Sequence, residues 1–158
     1  MISVDVLTKN RLFNNVSSIT LAKIMLLTKE ASFVEGTRIL SAGDKADVLY
    51  IILDGVLDLT FCLKIGQVES EITIDTKRRG DTVGWSALIS PYIYTLSCVC
   101  REPLRALTIN GEALLSLSDE DPEFGHILMR NIAELIRARM KQIQDMFIKE
   151  VQRGISMP

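Results

Sequence analysis

The sequence predicts a mainly β fold with helices before and after it, and three observations predict it. Between residues 31 and 109 short apolar runs follow one another, broken by turn residues: SFVEG, TRIL, SAGDKA, DVLYIIL, DG, VLDLTFCLKIG and QVESEITIDTKRRG. Many short strands at even spacing make a sandwich or barrel rather than a parallel α/β sheet. Two of the runs, VLDLTFCLK and VESEITIDT, alternate apolar and polar positions, so each buries one face. The pattern then changes to spacings of three and four and keeps them almost to the end of the chain.

In chain order, residues 4–13 carry a short helical pattern, and Ser17 can cap a second helix, SITLAKIMLLTKE, with Ile19, Ile24 and Leu27 on its apolar face. Helices are expected over 4–30, strands over 31–109 and helices again over 110–153. Asp54-Gly55, between two strand-like runs, predicts a hairpin. Gly80-Asp81 reads as a turn closing a strand. Residues 84–89 alternate too little for a strand, so one helical turn is expected there, followed by a strand over 94–100 and another in PLRALTI. Asn110 caps a short helix, GEALLSL. Asp121-Pro122-Glu123 then starts a long one, with a capping carboxylate, Pro at the first helical position and an acid in the first turn. Leu128, Ile132, Leu135, Ile136, Met140, Ile143, Met146, Phe147 and Val151 form its broad apolar stripe. A helix of that length outruns a small barrel, and a second copy of the chain is the simplest cover for its distal half.

Composition limits the function. The 158 residues suffice for one domain with a core, and 47% hydrophobic with 24% charged residues marks a folded chain. A net charge of -2 gives no electrostatic reason to expect DNA or an anionic membrane as partner. The first residues, MISVDVLTKNRLF, do not read as a signal peptide, and no apolar run approaches the ~18 residues of a membrane span. Three cysteines, Cys62, Cys98 and Cys100, fit a reducing cytoplasm. Cys98 and Cys100 share one strand face without further ligands at metal spacing and read as small buried hydrophobes. With one histidine, His126, neither a cupin-type metal site nor a Ser/His/Asp or Cys/His arrangement is expected, and no cofactor is called for.

The stretch GDTVGWSALISPYIYTLSCVC, residues 80–100, is the candidate site. A Gly leading into a helical turn aims free N–H groups at whatever lies in front, which is an anion site in outline. This stretch, with SAGDKADVLYIILDG (41–55) before it, resembles the cyclic nucleotide-binding domain of the CRP/FNR regulators and of the regulatory subunits of cyclic-nucleotide-dependent kinases. The resemblance runs from about residue 12 to residue 148. It implies an eight-stranded jelly-roll barrel with a helical lid and, in the bacterial branch, a homodimer through the long C-terminal helix. The family's phosphate-binding cassette reads Gly-Glu-x-Ala-Leu, with an arginine some residues on. Here it reads Gly84-Trp85-Ser86-Ala87-Leu88, then Tyr94-Thr95. Trp85 stands where the glutamate would hold the ribose, and Tyr94 where the arginine would pair with the phosphate. Cyclic AMP and cyclic GMP are therefore expected to bind weakly or not at all.

What carries over is backbone at Gly84 and the hydroxyls of Ser86 and Thr95. Trp85 either plugs the barrel mouth or offers a stacking surface. Arg78 and Arg79 lie in the turn before Gly80 and read as solvated, with replacement of the cassette arginine as the alternative. Arg139, inside the apolar stripe, either snorkels outward or faces the pocket as a displaced countercharge. His126 reads as exposed or capping. The family's transcription factors continue into a winged helix-turn-helix, whereas this sequence stops at Pro158, so DNA binding by this chain alone is not expected. The expectation is a non-enzymatic small-molecule sensor with an anionic ligand. The alternatives are a ligand-free dimerisation scaffold regulating a partner protein and a haem gas sensor.

Overall fold

A computed structural model describes residues 2–156. The chain opens with a single helical turn, α1 (Asp5–Thr8), and a 3-10 turn (Arg11–Phe13). Asn10 separates them because its carboxamide oxygen caps Leu12 N, so residues 4–13 are two turns and not the one helix that their spacing predicts. Helix α2 (Ser18–Leu26) starts where expected, with the Ser17 hydroxyl accepting from Thr20 N. It ends four residues short of the expected limit, and Thr28 already pairs with Ile109, so the sheet begins at residue 28 and not at 31.

Eight strands follow: β1 (Thr28–Phe33), β2 (Arg38–Leu40), β3 (Val48–Asp54), β4 (Leu57–Ile65), β5 (Val68–Lys77), β6 (Thr82–Val83), β7 (Ser97–Cys100) and β8 (Leu104–Asn110). They form two antiparallel four-stranded sheets, β1-β8-β3-β6 and β2-β7-β4-β5. This is the jelly-roll arrangement, but the barrel expected from the resemblance is not closed: no ladder joins the two sheets among the described residues. Leu49, Ile51, Leu57, Cys98, Leu104, Leu107 and Ile109 are among the side chains buried in its core.

Asp54-Gly55 does not make a hairpin. β3 pairs with β8 and β6, and β4 pairs with β5 and β7, so this turn carries the chain from one sheet to the other. Gly55 has φ +99, and a Cβ there would collide with the Pro103 carbonyl oxygen, so the corner requires glycine. The tight hairpin lies further on, where Gly66 and Gln67 join Ile65 to Val68. A register shift between Leu59 and Thr60 ends the alternation of β4. Beyond it Phe61, Ile65, Val68 and Ile72 remain partly or largely exposed.

Two helices close the chain. α3 (Gly111–Glu120) is capped by Asn110, whose side chain accepts from Ala113 N. α4 (Pro122–Ser156) is 35 residues long and starts on Asp121, whose carboxylate accepts from Phe124 N. Its first half is fixed by burial of Phe124, Leu128 and Ile132 and by Asn131, which donates to Leu12 O at 2.9 Å and Asn14 O at 2.8 Å. Past Ile136 the helix runs on across the roll, with Gln142 Nε2 donating to Ile74 O at 3.4 Å.

Candidate functional site

The corner at residues 80–88 is built from backbone. Gly84 sits at φ +83, and a Cβ there would lie 2.7 Å from Val48 O, so the turn is pressed against β3 and needs glycine for both conformation and space. One 3-10 turn, Trp85–Leu88, follows it, in agreement with the single helical turn expected. Ala87 and Leu88 are buried beneath the turn, where they anchor it and offer nothing to a ligand. Gly111 lets α3 begin directly behind the turn, since a Cβ there would stand 2.7 Å from Ala87 O.

A cavity of about 530 Å³ opens in front of this corner, within the range of small-molecule sites. Leu40, Leu59, Phe61, Ile74, Leu96 and Cys98 line it from the β2-β7-β4-β5 sheet and its approach. Thr82, Val83, Gly84, Trp85 and Ser86 form one side, and Arg139, Ile143, Met146, Phe147 and Glu150 of α4 cover it. Trp85 is half-buried in the wall and does not fill the space. Of the expected site residues, Gly84, Trp85, Ser86, Tyr94, Thr95 and Arg139 come together around this one cavity, while Ala87 and Leu88 do not line it.

Tyr94 does a different job from that of an anion receptor. Its hydroxyl donates to Val48 O at 2.7 Å and accepts from Val48 N at 3.1 Å, so both functions are taken by backbone. Burial raises its pKa above the ordinary tyrosine value. Nor does Tyr94 belong to a strand, as the stretch 94–100 predicts; β7 begins only at Ser97. Tyr94 N and O instead hydrogen-bond to Asp44 O and Gly43 N, which fastens this segment to the loop before β3. Arg78 and Arg79 are exposed and do not line the cavity, so they do not replace the cassette arginine. His126 is exposed, as expected.

Among the described residues that line the cavity, the one cationic side chain comes from α4. Arg139 Nη2 lies 3.6 Å from Asp75 Oδ2, and its side chain is 15% exposed. Arg139 Nη1 is buried without a hydrogen-bond partner. Asp75 is also held by Lys77 at 2.8 Å and by Thr76 N. Burial pushes the Asp75 carboxyl up, but Lys77, the Thr76 N–H and Arg139 together bring it below its ordinary value. Cys98, on the cavity floor, is a neutral thiol, pushed up to about 12 by burial.

Sequence reasoning missed two contributors. Asn10 is 2% exposed; its Nδ2 donates to Gly80 O at 2.9 Å and Thr82 Oγ1 at 2.8 Å, tying the N-terminal turns to the cassette corner. Its cap position was readable, its long-range bonds were not. Asp75 sat in an alternating strand, and only the approach of α4 gives it Arg139 as a neighbour.

Residues 30–121 match the family described as cyclic nucleotide-binding domain, and the chain belongs to that family. A cyclic nucleotide-binding-type protein of Geobacter metallireducens GS-15 is 32% identical, with a TM-score of 0.74 over 89% of this chain and 99% of that one. A cyclic nucleotide-binding domain of Methylobacillus flagellatus KT shares the fold at 21% identity, TM-score 0.77, over 93% of this chain and 81% of that one. The CRP-like cAMP-activated global transcriptional regulator of Mycobacterium tuberculosis is 24% identical over 147 residues, 93% of this chain. The chain spans 64% of the length of that curated relative.

Proposed function

We propose that this chain is a regulatory, non-enzymatic ligand-sensing domain that has exchanged the family's cyclic nucleotide for another small molecule. The observation that carries this reading is an open, largely apolar cavity of about 530 Å³ at the cassette corner, whose one arginine among the described residues comes from α4. The cassette supplies neither of the family's charged side chains, since Trp85 and Tyr94 stand in their places and the Tyr94 hydroxyl is spent on Val48. Losing two charge-assisted hydrogen bonds at ~1.5–3 kcal/mol each weakens a cyclic nucleotide by several orders of magnitude. The open cavity weighs against a ligand-free scaffold, which would have side chains filling that space. Among the described residues no group of three or more His, Cys, Asp or Glu could hold a metal, and no helix is long and apolar enough to cross a membrane.

The same reading makes the domain a homodimer through α4. Ile148, Val151 and Ile155 are exposed beyond the cavity face, on a stripe set off from the lining residues at 100° per residue. Regulation of a partner protein fits the 24% identity to a transcriptional regulator over 93% of the chain. Native mass spectrometry of the protein purified from cells, with the mass of any bound molecule read on dissociation, tests the sensor reading. A co-purified small molecule that quenches Trp85 on rebinding supports it. An empty protein whose Trp85 is shielded from iodide and responds to no ligand panel contradicts it.

A further inference from the structure

Charge at the cavity is unbalanced in a way that specifies a ligand. Arg139 and Lys77 share the single carboxylate of Asp75, at 3.6 Å and 2.8 Å, so one positive charge is left over. Glu150, the acidic residue on the α4 side, is paired with Arg153 at 3.0 Å and does not neutralise it. Arg139 Nη1 is buried without an acceptor, a state that a ligand oxygen would relieve. A guanidinium fork with one arm beside Asp75 and the other without an acceptor suits one carboxylate.

The rest of the wall excludes a polar body. The Thr82 hydroxyl is bonded to Asn10 and the Tyr94 hydroxyl to Val48, which leaves only Ser86 and Thr95 as uncommitted side-chain hydroxyls. A purine and ribose buried there would find replacement for few of their hydrogen bonds to water. Hydrocarbon loses nothing, and Phe61, Ile74, Trp85, Leu96 and Phe147 surround it.

Resting on the reading of this cavity as a ligand site, we propose that its ligand is a monoanionic amphiphile, a carboxylate on an aliphatic or aryl body, with Arg139 of α4 as its anion receptor. Decanoate and 4-phenylbutyrate are the probes, each compared with its neutral alcohol on the full chain, by calorimetry and by Trp85 fluorescence. Each carboxylate binds at least tenfold more tightly than its alcohol. Arg139→Gln brings each carboxylate down to the level of its alcohol and leaves the alcohol unchanged, and Arg139→Lys restores part of the difference. Alcohols as tight as carboxylates in the unaltered chain, or a preference that survives Arg139→Gln, overturn the assignment while leaving the sensor reading intact. If none of the probes binds but another molecule co-purifies, the carboxylate class is wrong and the sensor reading stands. If nothing binds and nothing co-purifies, both fall.

Discussion

The hydroxyl of Tyr94 is hydrogen-bonded to both backbone groups of Val48, donating to the carbonyl at 2.7 Å and accepting from the N–H at 3.1 Å. Tyr94, which the resemblance sets against the family's phosphate-binding arginine, clamps the segment of residues 80–100 to β3. Tyr94→Phe leaves two part-buried backbone groups of Val48 without this partner, at a cost of about 1–3 kcal/mol. The expected outcome is a lowered melting temperature, measured by calorimetry. Tyr94→Arg is expected to be at least as destabilising and not to create cyclic AMP binding.

Gly84 carries the same junction from the other side. Its φ of +83 costs an alanine about 1–2 kcal/mol, and the Cβ 2.7 Å from Val48 O adds a steric term. Gly84→Val is expected to exceed Tyr94→Phe in denaturant-measured destabilisation and to abolish any ligand response of Trp85. Gly36→Ala is the control: its φ is also positive, at +82, but nothing lies within 4 Å, so it should lose the conformational part alone.

The long helix presents two apolar faces and allows its two proposed roles to be separated. Ile143 and Phe147 line the cavity, so charges there disturb ligand and dimer together. Ile148 and Ile155 are 50% and 78% exposed and do not line it. Ile148→Glu with Ile155→Glu is expected to give monomers by light scattering while Trp85 still responds to ligand. An unaltered chain that is monomeric at tens of micromolar contradicts the dimer.

The thiols differ by environment. Cys62 is exposed, while Cys98 and Cys100 are buried and their pKa values are raised, that of Cys98 to about 12. At pH 8 a thiol reagent is expected to label Cys62 rapidly and the other two only on unfolding. Because the folded pKa of Cys98 lies above its ordinary value of 9.0, its contribution to stability is present below about pH 9 and is lost as pH rises towards 12. A chemical-denaturation series across that range reads the loss.

Local chemistry made much of this legible beforehand. Ser17, Asn110 and Asp121 cap the helices they were expected to cap, and the glycine turns at 80 and 84 fall where their spacing placed them. What failed was pairing. Asp54-Gly55 carries a hairpin signature, yet which sheet each flanking strand joins is decided by β8 and β7, which lie far along the sequence. Thr28–Phe33 is polar enough to be taken for the end of a helix because only part of one face is covered. At the site, Trp85 and Tyr94 stand in the sequence where the resemblance implies charged residues. Arg139 stood out as a cation in an apolar stripe, but its choice between solvent and cavity depends on the angle at which α4 crosses β5. Asn131 and Leu128, a few turns earlier, hold the first half of that helix to the rest of the fold.

Calorimetric titration with cyclic AMP and cyclic GMP tests the central claim, that this domain keeps the family's fold while its cassette no longer serves the family's ligand. The account predicts no saturable heat for either nucleotide up to about 100 μM. Submicromolar affinity for either one, lost on Arg139→Gln or not, would contradict it.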